Sequence, residues 1–199
     1  MNYAKLAFTD AVKKLQEQNG SRKSYERMEQ FTNDDGLSVR EARHIQNRDS
    51  FYLATYGENG FPYIQHRGGP KGFLKVLNSQ TLGFLDFSGN KQYISTGNIQ
   101  HNNKVSLFLM DYPSKTRLKI YAETEILALD EKPEITEKLQ LSNYRYSAKR
   151  VMLFHVKAFN WNCPQHIKPR YSAEEMEDLF SAQQEYIKTL ESEIKRLRG

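Results

Sequence analysis

Short runs of apolar residues, several of them alternating with polar residues, predict β-strands across residues 51–130 and again near residue 150. In chain order, the runs are FYLATY, FPYIQHR, FLKVL, TLGFLDF, VSLFLMDY, RLKIYAETEILAL and RVMLFHVKAF. GENG joins the first two runs and Asn78-Ser79-Gln80 joins the next two, so each pair predicts a hairpin. The fifth run is almost continuously apolar and predicts a fully buried strand. Six or seven short strands with short turns favour a closed β-barrel over alternating β–α units.

Helical patterns lie on both sides of the predicted strands. In the polar N-terminal segment, Thr9 is placed to cap a helix over the next nine residues, which Asn19-Gly20 would end. Ser38 and Glu41 have the Ser-x-x-Glu spacing of a capping box ahead of a second helical pattern. The fold class predicted from these patterns is mainly β with flanking helices, which makes the chain an α+β protein.

Two further helices are predicted after the main group of strands, a short one in residues 131–147 and a longer one in residues 171–199. Ser172 and Glu175 form another capping box at the start of the longer helix. Its apolar positions follow a spacing of four and three: Met176, Phe180, Ile187, Leu190, Ile194 and Leu197. Such a seam fits a helix that packs on its own barrel equally well as one that meets a partner subunit.

The predicted organisation is a helical segment over residues 1–50 that packs on a barrel over residues 51–170, followed by a helix over residues 171–199. The chain has 199 residues, a net charge of +5 and a single cysteine, Cys163. One cysteine excludes an internal disulfide. No apolar run reaches the length of a membrane span, and the N-terminal MNYAKLAFTD has no apolar signal region. We therefore expect a cytoplasmic protein with no membrane partner.

The stretch GNKQYISTGN, residues 89–98, separates two predicted core strands and is longer than a plain turn. Gly89 lets backbone amides approach a ligand closely, because it has no Cβ. Lys91 adds a positive charge suited to phosphate, while Asn90 and Gln92 add neutral donors. These residue types favour anion binding, although loops of this composition are more often only solvated.

Two further stretches carry candidate chemistry. The strand PYIQHR ends in Gln65, His66 and Arg67 before two glycines, so it can aim a guanidinium at a phosphate. In FNWNCPQHIKPR, the polar neighbours of Trp161 suit the wall of a pocket for a planar ligand, although a core tryptophan is the simpler interpretation. The five histidines lack the spacing of a metal site, so no metal is expected.

Taken together in chain order, YIQHRGGPKGFLKVL, GNKQYISTGN, LFLMDYP and FNWNCPQHI resemble the FMN-binding split barrels related to pyridoxamine 5′-phosphate oxidase. The resemblance covers roughly residues 50–170. It implies a six-stranded Greek-key split β-barrel of the FMN-binding type, a homodimer, and FMN bound near the subunit interface.

The resemblance also implies roles for the residues that would hold the FMN phosphate. Lys91 matches the family's basic residue on the phosphate, and Ser88 and Gly89 lie at the turn whose amides bind it. Asn90 and Gln65 stand where the oxidases have arginines. For Gln65, Arg67 two residues later is expected to compensate.

Other positions are implied to meet the flavin ring. Asp86 and Phe87 stand at the strand end that lines the isoalloxazine, and Arg117 occupies the position of a glutamine at the ring edge. Trp161 resembles a tryptophan that family members lend to the site, often across the dimer. The residues themselves add Gln165 as a pocket-wall amide, and His66 and His166 as candidate catalytic proton donors.

The resemblance and the residues leave three hypotheses. The first is an FMN-dependent oxidoreductase of unknown substrate. True pyridoxamine phosphate oxidases bind the phosphate of the vitamer with an Arg-Leu-His-like motif, and this chain has NCPQHIKPR in that region. The difference argues against pyridoxamine phosphate oxidase activity. The second is a non-catalytic flavin-binding or sensor module, and the barrel also hosts relatives that bind deazaflavin or haem. The third hypothesis is a basic β-barrel that binds nucleic acid. It ranks well below the other two, because the basic residues are spread along the chain and do not cluster.

Overall fold

The computed structural model describes residues 1–30, 36–161 and 164–198, apart from the side chains of residues 178 and 179. The chain forms two units. The first comprises Met1–Met110 with Arg117–Cys163, and the second comprises Asp111–Thr116 with Pro164–Gly199. The division at residues 50 and 170 expected from the sequence stays a prediction.

Seven strands form one sheet in the described part of the chain, one more than the six of the predicted barrel. They are β1 Ser50–Tyr56, β2 Pro62–Gly68, β3 Lys75–Asn78, β4 Thr81–Phe87, β5 Lys104–Asp111, β6 Thr116–Leu127 and β7 Ala148–Trp161. Their order is β2-β1-β5-β6-β7-β4-β3, so strands that are distant in sequence become neighbours. The antiparallel pairs β1–β2 and β3–β4 confirm both predicted hairpins.

The core of the first unit consists of two clusters of buried side chains, and β4 and β7 contribute to both of them. The larger cluster is rich in aromatic rings. Phe51, Phe84 and Phe154 are at most 2 % exposed and pack against one another with ring centroids 5.5 to 6.1 Å apart. Burying aromatic side chains of this size removes a large apolar area from water, which stabilises the fold. These ring contacts therefore pack β1, β4 and β7 against one another.

Strand β5 corrects one prediction. Its apolar run was expected to be fully buried, but burial alternates along it. Val105, Leu107 and Leu109 are buried, whereas Phe108 and Met110 are partly exposed. A run that is apolar on both faces therefore covers the core with one face and leaves the other partly open to solvent.

Seven helices flank the strands in the described residues: α1 Tyr3–Ala7, α2 Asp10–Gln18, α3 Arg22–Gln30, α4 Val39–Gln46, α5 Ile94–His101, α6 Pro133–Leu139 and α7 Ala173–Arg198. The capping boxes of Ser38 with Glu41 and of Ser172 with Glu175 are both confirmed. Thr9 precedes α2 as predicted but makes no capping hydrogen bond with its side chain. Helix α5 was not predicted, because GNKQYISTGN was interpreted as a loop throughout.

The second unit consists mainly of α7 and the segment before it. Within this unit, the guanidinium of Arg170 lies 5.0 Å from the ring centroid of Tyr112. The apolar seam predicted for α7 is solvent-exposed at Phe180, Ile187, Leu190, Ile194 and Leu197. Among the described residues, no helix combines the length and the hydropathy that crossing a bilayer requires.

Candidate functional site

A cavity of about 70 Å³ lies in the first unit where β2, the end of β4, the following loop, the start of α5 and the start of β7 meet. Successive side chains of β2 point to opposite faces, so the half-buried Gln65 and Arg67 line the cavity while His66 lies on the exposed face. Residues 86–92 line the cavity as one continuous segment. Nine residues that the sequence singled out therefore lie around one cavity.

The loop from residue 88 to residue 93 has an unusual backbone. Lys91 and Tyr93 adopt left-handed conformations, with φ of 61° and 56°. Residues other than glycine rarely adopt this backbone conformation, which costs about 1 kcal/mol or more per residue. The Oδ1 atom of Asn90 accepts a hydrogen bond of 3.2 Å from the amide of Gln92, which holds the turn in shape. Strained backbone of this kind is typical of ligand-binding loops.

Helix α5 begins directly after this loop without a side-chain cap. Tyr93 is the N-cap residue and its side chain makes no capping hydrogen bond. The first residues of the helix, Ile94, Ser95 and Thr96, line the cavity. Amides in the first turn of a helix have no partner within the helix and attract anions together with the helix dipole. The cavity thus lies against a positively polarised helix end.

Two arginines and one aspartate make the charged wall of the cavity. The Nη1 atom of Arg67 donates a 2.6 Å hydrogen bond to Oδ1 of Asp86, whose residue surface is only 5 % exposed. The Nε atom of Arg150 lies 3.2 Å from Oδ2 of the same carboxylate. Arg150 also donates to Thr96 Oγ1 at 3.3 Å. With Lys91 and Lys149, four cationic side chains and one carboxylate line the cavity, so it carries an excess of positive charge.

The amide of Gln65 is tied to the helix rather than free. Its Oε1 atom accepts a 2.6 Å hydrogen bond from Oγ of Ser95, a residue that is 2 % exposed. This bond joins β2 to α5 and holds the Gln65 side chain in place. Gln65 lines the cavity, and the NH₂ group of its side chain is a hydrogen-bond donor.

The cavity suits a phosphate group in size and in chemistry. A Cβ atom built on Gly89 would meet no atom within 4 Å, so the space beside this backbone is open. A cavity of about 70 Å³ has room for a small tetrahedral anion. Guanidinium, ammonium and amide donors are the groups that bind phosphate in proteins. The residues present therefore fit the phosphate end of a larger ligand, whose remainder would lie outside the cavity.

Several predicted residues lie elsewhere. His66 packs its ring 5.6 Å from that of Tyr52 on the exposed face of the sheet. Arg117 lies 5.4 Å from the ring of Phe108. The indole nitrogen of Trp161 donates to Glu41. None of these three predicted side chains lines the cavity of its own chain, so their contact with a ligand stays a prediction.

The remaining candidates belong to other parts of the chain. Gln165 and His166 are in the second unit and do not line the cavity. His166 adopts a left-handed backbone conformation with φ of 64°. Cys163 lies outside the described residues. Among the residues that the structure does describe, there is no group of three or more His, Cys, Asp and Glu side chains placed to hold a metal ion.

Sequence reasoning missed part of the cavity wall. Tyr63, Lys149 and Arg150 were not singled out, whereas Tyr93, Ile94, Ser95 and Thr96 lie in the stretch 89–98 that was predicted to favour anion binding. Tyr63 was accessible to a period-of-two argument, because it shares a strand face with Gln65 and Arg67. Arg150 had no such signal. It reaches the cavity because β7 pairs with β4 in a register that sets Arg150 directly opposite Asp86, across 63 intervening residues of sequence.

Comparison with known proteins identifies the family. A sequence model of the family described as pyridoxamine 5′-phosphate oxidase matches residues 39–159, which is more than half of the chain and contains the whole cavity. No curated protein sequence matches this chain.

Solved structures show a similar fold. A variant of HupZ from Group A Streptococcus has a TM-score of 0.51 and 15 % identity, covering 63 % of this chain and 99 % of that one. A putative pyridoxamine 5′-phosphate oxidase from Lactobacillus delbrueckii has a TM-score of 0.50 and 22 % identity, covering 64 % and 96 %. An FMN-binding protein from Syntrophomonas wolfei has a TM-score of 0.48 and 17 % identity, covering 63 % and 86 %.

The predicted split-barrel fold is thus confirmed, with seven strands in the sheet rather than six. Because the family's sequence model matches residues 39–159, this protein belongs to the pyridoxamine 5′-phosphate oxidase family.

Proposed function

We propose that this protein binds FMN and uses it as an FMN-dependent oxidoreductase. The observation that carries the proposal is the cavity with four cationic side chains at the uncapped start of α5, which suits the phosphate of FMN. Family membership supports a flavin as the ligand class. Riboflavin lacks the phosphate that this cavity is equipped to hold, so FMN fits better than the dephosphorylated vitamin.

The chain's own residues would hold and orient the ligand. Arg67, Arg150 and Lys91 would neutralise the phosphate charge, and the amides at the start of α5 would donate hydrogen bonds to its oxygens. The bond from Ser95 to Gln65 keeps the β2 wall fixed against the helix. When bound, FMN would supply the hydride or electron transfer, while the protein provides position and electrostatics.

A homodimer is part of the proposal. Tyr52, Tyr56 and Ile64 form an apolar patch on the outer face of β1 and β2, with exposed fractions of 40, 48 and 65 %. An exposed apolar sheet face is typical of a surface that a partner covers. The lining of the cavity fits the phosphate end of FMN, and the second subunit is the proposed source of a surface for the flavin ring.

A second candidate function, a non-catalytic flavin-binding module, is favoured by one observation. Neither catalytic candidate, His66 or His166, lines the cavity, and among its described lining residues there is no histidine. The cavity is a phosphate site, and no described residue is assigned beside the flavin ring, so the oxidoreductase hypothesis has no assigned proton donor. The two functions share the same FMN site and differ only in turnover.

The test of FMN binding is the visible absorption spectrum of the purified protein, with the released small molecule compared with authentic FMN. We expect a yellow protein that releases one FMN per chain. A colourless protein that takes up neither FMN nor a deazaflavin would contradict the proposal. Consumption of NADH or NADPH by the FMN-loaded protein would then separate the oxidoreductase from the non-catalytic module.

A further inference from the structure

We infer that Asp86 is a positioning residue for phosphate binding: it orients the guanidinium groups of Arg67 and Arg150 at the cavity. This inference rests on the proposed function, because it concerns the same site. It assigns Asp86 a different role from contact with the flavin ring, which the family resemblance implied. A carboxylate in an anion site needs such an explanation, since its own charge opposes the binding of an anion.

The three side chains come from three strands. Asp86 is at the end of β4, Arg67 is on β2, and Arg150 is on β7. Each carboxylate oxygen of Asp86 serves one arginine, with Oδ1 2.6 Å from Nη1 of Arg67 and Oδ2 3.2 Å from Nε of Arg150. The first contact is a directed hydrogen bond. The second contact is an ion pair and does not have the geometry of a hydrogen bond. Nε of Arg150 accordingly has no hydrogen-bond partner in the described part of the chain.

The three side chains are largely buried, and this burial strengthens the interactions between their charges. The side chains of Arg67, Arg150 and Asp86 are 14, 19 and 7 % exposed. At this depth water screens charge weakly, so two guanidinium groups without the carboxylate would repel each other. Arginine side chains also have many rotamers, and a fixed partner removes most of them before a ligand arrives. Asp86 therefore prepares two cations in one place at the cavity wall.

Positioning and simple charge make opposite predictions. If Asp86 only added a negative charge, its replacement by a neutral residue would strengthen the binding of an anion. If Asp86 positions the arginines, the same replacement would weaken binding, although the cavity becomes more positive. The sign of the change therefore distinguishes the two explanations without a model of the ligand pose.

The experiment compares Asp86→Asn with Glu41→Gln as a matched control. Glu41 is also a buried carboxylate, 4 % exposed, but it does not line the cavity. FMN and riboflavin affinities are measured by quenching of flavin fluorescence. We expect Asp86→Asn to weaken FMN binding at least fivefold and to leave riboflavin binding unchanged. Glu41→Gln should lower the melting temperature without changing the ratio of the FMN to the riboflavin affinity. FMN affinity equal to or higher than wild type in Asp86→Asn would overturn the inference.

Asp86→Glu provides a second variant that keeps the buried negative charge. Its longer side chain displaces the carboxylate, so positioning predicts a loss of FMN affinity in this variant as well. Because the charge is retained, the arginines are not left without a counter-charge and folding is better protected. Wild-type FMN affinity in Asp86→Glu would also count against a positioning role.

Inorganic phosphate separates this inference from the proposed function. Phosphate that binds the native state raises the melting temperature of the wild-type protein. If FMN does not bind but phosphate stabilises wild type and not Asp86→Asn, the inference holds and the proposed function fails. If FMN binds wild type and both Asp86 variants alike, the proposed function holds and the inference fails. No binding of either ligand by wild type overturns both.

Discussion

The indole nitrogen of Trp161 donates a 2.6 Å hydrogen bond to the carboxylate of Glu41, which lies 120 positions earlier in the chain. Glu41 also accepts hydrogen bonds from the amide and the hydroxyl of Ser38. The guanidinium of Arg40 lies 4.4 Å from the Trp161 ring, and the His44 ring meets it edge-on at 4.8 Å. The predicted pocket tryptophan thus joins the end of β7 to α4 within its own chain.

This relationship predicts an acid-sensitive contribution to stability. Burial alone would raise the pKa of Glu41, but the hydrogen bonds from Ser38 and Trp161 outweigh it and lower the pKa below its ordinary value. A carboxyl group with a lowered folded-state pKa stabilises the protein above its unfolded pKa of about 4.3, and the contribution disappears as pH falls through the folded value. We expect Glu41→Gln to lower the free energy of unfolding by about 1.5–3 kcal/mol at pH 7, and by much less at acid pH. Urea unfolding at several pH values measures this. The exposed Glu137→Gln is the control, and a pH-independent loss in Glu41→Gln would contradict the prediction.

Lys91 is predicted to contribute to FMN affinity through its charge. Lys91→Asn removes the charge while keeping a residue type that tolerates the left-handed backbone at this position. Because Lys91 is exposed, we expect a loss of about 1 kcal/mol, or roughly fivefold in the FMN dissociation constant. Lys115→Asn is the matched control, since Lys115 has φ of 53° and does not line the cavity. Equal effects of the two substitutions on FMN affinity would argue against a role for Lys91.

Gly89 is predicted to matter for the ligand and not for the fold. Its φ is not left-handed, and an added Cβ would meet no atom of the protein within 4 Å. Gly89→Ala should therefore leave the melting temperature unchanged while it lowers FMN affinity, because the methyl group enters the space that the phosphate would use. Isothermal titration with FMN measures the effect. Unchanged affinity would show that the ligand does not approach Gly89.

Gly97, in α5, is predicted to matter for stability and not for the ligand. It lies inside the helix, makes a 2.8 Å backbone hydrogen bond to Tyr93, and has open space at its Cβ position. Alanine in a helix interior is more stable than glycine by about 0.8–1 kcal/mol. We expect Gly97→Ala to raise the free energy of unfolding by about that amount in urea unfolding. The variant also serves as a control for Gly89→Ala, since Gly97 lies outside the cavity. Destabilisation would indicate that a partner approaches this helix closely.

The proposed dimer predicts that Ile64→Lys gives a monomer. Ile64 is 65 % exposed on the outer face of β2, opposite Ala54 of β1, and a charge there would be costly to bury between subunits. Size-exclusion chromatography with light scattering measures the mass. Ile187→Lys, on the exposed seam of α7, tests the alternative interface. A dimer that survives Ile64→Lys but not Ile187→Lys would move the interface to α7.

Much of the fold could be predicted from local sequence patterns. Alternation in FYLATY and FPYIQHR, with GENG between them, was sufficient for the first hairpin, because side-chain period and turn composition are local properties. The capping box of Ser38 with Glu41 was equally accessible, since its hydrogen bonds span three residues. Gln65, Arg67 and residues 86–92 were recognised by their donor chemistry and by the order of the family's motifs.

Other features depended on contacts between distant segments. Helix α5 was missed because its ISTGNIQH sequence has no strong helical pattern and begins at a left-handed Tyr93 rather than at a capping side chain. The hydrogen bond between the indole nitrogen of Trp161 and the carboxylate of Glu41 also joins distant segments, and the contact of Trp161 with a ligand stays a prediction.

By itself, the sequence determined the strands, their hairpins and the donor-rich segment after β4, since each follows from neighbours within a few residues. Only the tertiary structure decided that Arg150 meets Arg67 on one buried aspartate, because strand order and register bring together side chains that no local spacing relates.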